Sequence, residues 1–187
     1  GPKAAARWGS IATALDVSPF HYPVSRFSAF DPVAFRKYFK FAFVRNPWDR
    51  LLSAYSHLRA HIEKTKDFPA TFWAREHLSE FTDFETFVLA LQKAPVRRRI
   101  MSHTAFQPQL DWVSMPRSRR VELDAAGRFE TLADDFRAIA ERLGIDSNLP
   151  MSNSSSHADY RKEYSLEMRS VAAELYRVDI DAFGYEF

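Results

Sequence analysis

Four side chains suited to an anion stand close together in the stretch FKFAFVRNPWDRLLSAY, residues 39 to 55: Arg45, Asn46, Arg50 and Ser53. The pattern of apolar residues changes at the same point. Before Arg45 the aromatic residues alternate at Phe39, Phe41 and Phe43, which fits a strand; after Pro47 the apolar residues fall at Trp48, Leu51, Leu52, Tyr55 and Leu58, which is helical spacing. A helix leaving directly from a strand presents unpaired backbone N–H groups and the positive end of its dipole, both of which favour an anion. Along this helix Asn46, Asp49 or Arg50, Ser53 and His57 are three or four residues apart and share one face, whereas Trp48, Leu51, Leu52 and Tyr55 share the buried one. The Arg45 guanidinium supplies paired charged donors, and with the Ser53 hydroxyl two turns along it suits a single phosphate. A plainer reading fits the same residues: Asn46 caps the helix, Asp49 assists as in a capping box, and Arg50 is solvated. Spacing alone leaves both open.

The elements that hold these groups follow from periodicity. A strand is expected over residues 38 to 45 and a helix from Pro47 to about residue 64, with Asn46 as cap and Pro47 in the first turn. Upstream, residues 8 to 16 read as a short helix and residues 17 to 32, with three prolines, as loop. Residues 84 to 92 read as a helix with Phe84, Phe87, Val88 and Leu91 on one face; residues 103 to 113 read as irregular or helical, and residues 121 to 123 as a short strand. After GRFE comes a strongly periodic helix that turns Leu132, Phe136, Ile139, Ala140 and Leu143 inward and stops at Gly144. Residues 148 to 164 are a polar loop. A last helix over residues 165 to about 183 carries Met168, Val171, Ala172, Leu175 and Val178 on one stripe and ends near Gly184. The class is α/β and helix-rich.

Composition sets outer bounds. The 187 residues are 46% hydrophobic and include 17 Phe, enough for one sizeable, aromatic-rich core in a single domain. The chain contains no cysteine, which excludes disulfides, thiolate zinc sites and cysteine nucleophiles. No apolar run reaches the length of a membrane span, and GPKAAARWGS lacks the sections of a signal peptide, so a soluble, cytoplasmic protein is expected. A formal charge of +2 does not call for nucleic acid, although arginines cluster at Arg97, Arg98 and Arg99 and at Arg117, Arg119 and Arg120. Charge runs of this kind are usually solvated faces. No GxxxxGK with a following Ser or Thr occurs, which argues against an ATP-dependent kinase. No closely spaced group of histidines and carboxylates points to a metal.

RNPWDRLLSAY resembles the 3′-phosphate-binding motif of sulfotransferases, most closely that of the carbohydrate-type family 2 enzymes and their bacterial relatives. GRFETLADDFRAIAERLGI, LPMSNSSSHADYRKEYS and LYRVDIDAFGYEF are similar, in the same order, to that family's GRFE segment with its helix, its polar loop and its closing helix. The resemblance covers most of residues 36 to 187 and is weakest over residues 65 to 100. It implies a P-loop-like fold with a central parallel sheet flanked by helices. It also implies one domain over residues 1 to 187 that transfers a sulfuryl group from 3′-phosphoadenosine 5′-phosphosulfate to an acceptor hydroxyl, of a carbohydrate or a small molecule.

Carried onto this sequence, the resemblance makes Arg45 and Ser53 ligands of the 3′-phosphate, and Ser155 and Arg161 parts of a loop that closes over the nucleotide. Lys3, in PKAA, resembles the opening of the 5′-phosphosulfate loop, where it would steady the leaving group. The sequence departs from the family there: no strand precedes Pro2, and ARWGS stands in place of a glycine and a hydroxyl pair. An incomplete N-terminal strand and phosphosulfate loop are therefore expected. For the general base the resemblance favours His21, in SPFHYPVSRF, with His103, in SHTAFQPQLDW, as second candidate. Each also has a bland reading, His21 as a surface-loop residue and His103 as a structural one. In-line transfer needs an aligned acceptor, a neutralised leaving group and a proton acceptor, and no metal. The rival from another class is a binding module that keeps the fold and the 3′-phosphate pocket without catalysis, its arginine clusters serving an anionic glycan or RNA. The acceptor is read by loops around residues 60 to 120.

Overall fold

In a computed structural model that describes residues 22–64, 69–149 and 159–187, the alternation ahead of Arg45 forms strand β1, Phe41–Val44. It pairs in parallel with β2, Ala125–Arg128, from Phe41 opposite Ala125 to Val44 opposite Arg128. The partner strand is thus not residues 121 to 123, of which Val121 makes only an isolated antiparallel bridge with Ser114. AAGR has little strand propensity, but Gly127 lies under the Phe43 ring, where a Cβ would fall 2.4 Å from Phe43 Cε1. Side-chain packing outweighs propensity here.

β1 leads through Arg45 and Asn46 into α3, Pro47–Lys64, numbered after α1 and α2 described below. Trp48, Leu51, Leu52, Tyr55 and Leu58 are buried, as the spacing requires. Around them pack α4 (Pro69–Leu78), α5 (Phe84–Ala90) and α6 (Ala94–Met101), with Tyr55 stacked on Phe87 at 4.8 Å and Phe87 against Phe106 at 5.6 Å. α5 starts on a capping box: Thr86 N–H donates to Asp83 Oδ1 at 2.7 Å and Asp83 N–H to Thr86 Oγ1 at 3.2 Å. After β2, a 3-10 turn (Phe129–Thr131) runs into a helix over Leu132–Leu143, which stops at Gly144 in the left-handed conformation, φ 64°. Ile139 and Ala140 are buried in it, but Leu143, in its last turn, is 36% exposed instead of facing inward.

The closing helix is broken. Leu166–Leu175 and Arg177–Phe183 flank Tyr176, whose backbone leaves the helical region at φ −111° and ψ 24°. Val178 is 39% exposed, whereas Asp179, on the same face as Met168 and Ala172, is fully inside. Val178 therefore does not continue the Met168, Ala172 stripe.

These elements belong to a compact unit of Phe41–Gln109 and Ala125–Phe187; a second unit contains Leu110–Asp124 and the chain up to Lys40. In the second unit, the segment expected as loop contains α1, Val24–Phe30, and α2, Pro32–Lys37. Pro23 stands at the N-cap of the first and Pro32 at the first position of the second, where proline starts helices instead of breaking them. Asp31 caps α2 by accepting from Ala34 N–H at 2.9 Å. α1 also packs on α7, Leu110–Val113. In chain order the later helices named above are α8 (Leu132–Leu143), α9 (Leu166–Leu175) and α10 (Arg177–Phe183). The helix expected at residues 8 to 16 lies outside the described residues. Among the described residues no helix is long and apolar enough to cross a membrane.

Candidate functional site

Arg45 is the first residue past β1, and its side chain folds back along α3. Nε donates to Asp49 Oδ2 at 2.7 Å and Nη1 to Ser53 Oγ at 3.0 Å. The guanidinium carbon lies 4.4 Å from the centre of the Phe129 ring. Arg45, at the strand's end, and Ser53, two turns along the helix, thus meet. Asp49 serves Arg45 and is not a capping partner of Asn46. The Arg45 and Asp49 side chains are 19% and 17% exposed, so the pair is partly shielded and open on one side. These bonds use Nε and one proton of Nη1, while Nη2 donates to no described residue. The Nη edge is the part of arginine that grips an oxyanion.

The helix start is already occupied. Asn46 Oδ1 accepts from Trp48 N–H at 3.1 Å, which confirms the cap, and Asn46 Nδ2 donates to the Glu186 carbonyl at 2.8 Å. Asn46 N–H donates to Glu130 Oε1 at 2.5 Å, so the anion on this end of the dipole is the protein's own carboxylate. Glu130 Oε2 also accepts from the Tyr185 hydroxyl at 3.3 Å. A further anion therefore finds its donors along the Arg45 and Ser53 side, not at the first backbone N–H groups of α3.

GRFE supplies most of this frame. Gly127 lets β2 lie against Phe43; Arg128 N–H donates to Asp135 Oδ2 at 2.6 Å, and Arg128 Nη2 to the Phe183 carbonyl at 2.7 Å. The next two residues are Phe129, 47% exposed over Arg45, and Glu130. The backbone bond from Arg128, and then the Thr131 hydroxyl at 2.8 Å, hold the Asp135 carboxyl below the ordinary range.

Behind Arg45 lies a group that no periodicity announces. Gln109 is buried, and its side-chain amide meets the Arg45 backbone twice: Oε1 accepts from Arg45 N–H and Nε2 donates to Arg45 C=O, each at 2.8 Å. Its own N–H donates to Oδ2 of buried Asp179 at 2.8 Å. The sequence carries one faint signal for Gln109, the QPQ run ahead of the apolar LDWV.

The other expected site residues are spread out. Arg161 lies on a 3-10 turn, Tyr160–Glu163, is exposed, pairs with Asp159 at 3.3 Å and sits 4.8 Å over the Tyr160 ring. That turn is tied to the start of α3 by the Tyr164 hydroxyl, which donates to the Trp48 carbonyl at 2.8 Å. The Tyr160 hydroxyl is buried and, among the described residues, has no hydrogen-bond partner. Burial, with the Asp49, Asp159 and Glu130 carboxylates adding to it against Arg161, raises its pKa. His103 is half-buried, its ring 4.2 Å from that of Trp73 and 6.0 Å from that of Phe106, and its Nδ1 accepts from Ala105 N–H at 3.2 Å. A neutral imidazole bonded in this way carries its proton on Nε2 and acts there as a donor. Lys3, His21 and Ser155 lie outside the described residues. Both arginine clusters contribute to ion pairs within the chain, Arg99 with Glu80, Arg119 with Asp111, and Arg120 with Glu122.

Among protein families, the model of the sulfotransferase family, in its second type, matches residues 18–186. No curated protein and no solved structure matches the chain.

Proposed function

This chain belongs to the sulfotransferase family, and from that premise we propose that it moves a sulfuryl group from 3′-phosphoadenosine 5′-phosphosulfate to the hydroxyl of an acceptor, a carbohydrate or a small molecule. The observation that carries this reading is the pairing of Arg45 Nη1 with Ser53 Oγ at 3.0 Å, on the open side of a strand-to-helix turn. The residues fit the 3′-phosphate of the donor. The Arg45 Nη edge offers charged donors, the Ser53 hydroxyl adds a neutral one, and Glu130 already fills the helix end, which directs the phosphate to their side. The exposed Phe129 ring beside Arg45 gives the same place an apolar wall.

In the transfer the acceptor oxygen bonds to sulfur as the bond from sulfur to the bridging phosphate oxygen breaks. The acceptor proton goes to a base, and adenosine 3′,5′-bisphosphate leaves. Arg45 and Ser53 hold the nucleotide so that its sulfuryl group is fixed relative to the acceptor, an orientation effect. Lys3 steadies the charge that develops on the leaving phosphate. His21 takes the proton; the Nδ1 bond of His103 supports a donor role for that residue, which leaves it second as base. Ser155 and Arg161 cover the nucleotide; for Arg161 this is supported by the bond from Tyr164, just past the turn that holds Arg161, to the first turn of α3. We assign β1, β2 and α3 to the parallel sheet and first flanking helix of a P-loop-like fold. We read the whole chain as one sulfotransferase domain, on the ground that the family match, residues 18–186, includes parts of both units.

The test is turnover. Protein incubated with the donor and a panel of sugar and phenol acceptors should release adenosine 3′,5′-bisphosphate and sulfated product in equal amounts. Binding of the bisphosphate without turnover on any acceptor would favour the non-catalytic module instead.

A further inference from the structure

Gln109 and Asp179 are buried polar residues for which sulfuryl transfer as described has no use. Burying such groups costs free energy unless their hydrogen bonds are met, and here the bonds converge on one place. The β1 and β2 pairing ends at Val44 opposite Arg128, so the Arg45 backbone stands just past the ladder. Its N–H and C=O both bond to the Gln109 amide, at 2.8 Å each, so this one side chain does the work of a neighbouring strand. Gln109 is itself fixed. The segment from Phe106 to Gln109 is pinned at both ends by residues at the break between α9 and α10. The Tyr176 hydroxyl donates to the Phe106 carbonyl, and the Asp179 carboxylate accepts the Gln109 N–H, each at 2.8 Å. Tyr176 and Asp179, three residues apart, thus meet two points of one segment that are also three apart.

We propose that Gln109, anchored by Asp179, is a positioning residue for Arg45: it fixes the Arg45 backbone, and so the direction of the guanidinium, without touching the nucleotide. The proposal rests on the reading that Arg45 grips the 3′-phosphate. Asp49, Ser53 and Phe129 hold the far end of the side chain, and Gln109 holds the near end. With the near end released, the guanidinium reaches the phosphate at a shifted angle and loses the bidentate geometry on which its strength depends.

The test is a double-mutant cycle read by calorimetric titration with adenosine 3′,5′-bisphosphate, with adenosine 5′-monophosphate as control. Gln109→Leu keeps the bulk of the side chain and removes both bonds to Arg45. It should weaken bisphosphate binding about tenfold and leave monophosphate binding unchanged, and it should add nothing in an Arg45→Ala background. Equal weakening of both nucleotides, or the same loss with Arg45 absent, would show a general structural role and overturn the proposal. If Arg45→Ala weakens bisphosphate binding and Gln109→Leu does not, the proposal alone fails. If Arg45→Ala changes nothing, the 3′-phosphate reading fails and takes the proposal with it. Should Gln109→Leu not fold, Gln109→Asn, whose amide is one methylene too short to reach both Arg45 groups, enters the same cycle with the same expected pattern.

Discussion

Replacing Gly127 with alanine tests how the GRFE segment is seated. The added Cβ would lie 2.4 Å from Phe43 Cε1, 2.6 Å from Phe43 Cδ1 and 3.2 Å from Asp135 Cβ. Carbon atoms settle at about 3.5–4.0 Å, so the Phe43 ring must retreat by about 1 Å or more. Its neighbours limit the retreat: Phe41 meets it edge-on at 6.2 Å and Phe136 at 6.4 Å. Overpacking of this kind costs about 1–3 kcal/mol, and the stiffer unfolded chain offsets roughly 0.4–1 kcal/mol. A net loss of about 1–2 kcal/mol is expected, read from urea unfolding followed by circular dichroism as a lower midpoint at unchanged slope. In a Phe43→Leu background the obstructing ring edge is gone, and the penalty should fall below about 0.5 kcal/mol. Because residues 128 to 130 carry Phe129 and Glu130 to Arg45 and Asn46, Gly127→Ala should also weaken binding of adenosine 3′,5′-bisphosphate. A neutral Gly127→Ala, or an equal penalty with and without the Phe43 ring, would refute this seating of β2.

Trp48→Ala should destabilise the fold by about 3–5 kcal/mol in the same unfolding assay, because it empties a core position and removes the indole bond to the Arg169 carbonyl at 3.0 Å; a neutral effect would mean that the buried face of α3 is wrongly assigned. His21→Ala should retain bisphosphate affinity and lose turnover, whereas full turnover would move the base to His103 or elsewhere. Burial raises the hydroxyls of Tyr164, Tyr176 and Tyr185 well above the ordinary tyrosine range. A pKa raised by folding contributes stability that is complete below the unfolded value of about 10 and is lost as pH climbs toward the folded values. The urea midpoint should therefore fall steadily above about pH 10, with tyrosinate absorbance from these residues appearing only on unfolding; reversible ionisation of all three near pH 10 in the folded state would contradict their burial.

The faces of α3 were legible in the sequence because a periodic run is buried on one side only, and the cap at Asn46 and the stop at Gly144 were legible from local chemistry. Arg45 and Ser53 could be paired because Arg45 ends the strand and Ser53 lies two turns along the helix that leaves it. Contacts between distant segments were not legible. Gln109 reaches Arg45 across 64 residues and Glu130 reaches Asn46 across 84, and neither is marked by any period. α1 and α2 were hidden by prolines that read as breakers yet stand at helix starts. β2 was hidden by a sequence, AAGR, whose fitness for a strand comes from the Phe43 ring above it. The break at Tyr176 interrupts a stripe that reads as continuous, and the bonds of the buried Tyr176 and Asp179 to the Phe106 to Gln109 segment carry no periodic mark.

The most direct measurement is calorimetric titration with adenosine 3′,5′-bisphosphate and with adenosine 5′-monophosphate, on the unaltered chain and on Arg45→Ala. Micromolar binding of the bisphosphate, much weaker binding of the monophosphate, and loss of that difference in Arg45→Ala are the expected results. Equal affinities for the two nucleotides, or a preference for the bisphosphate that persists without Arg45, would contradict a 3′-phosphate held by Arg45 and Ser53.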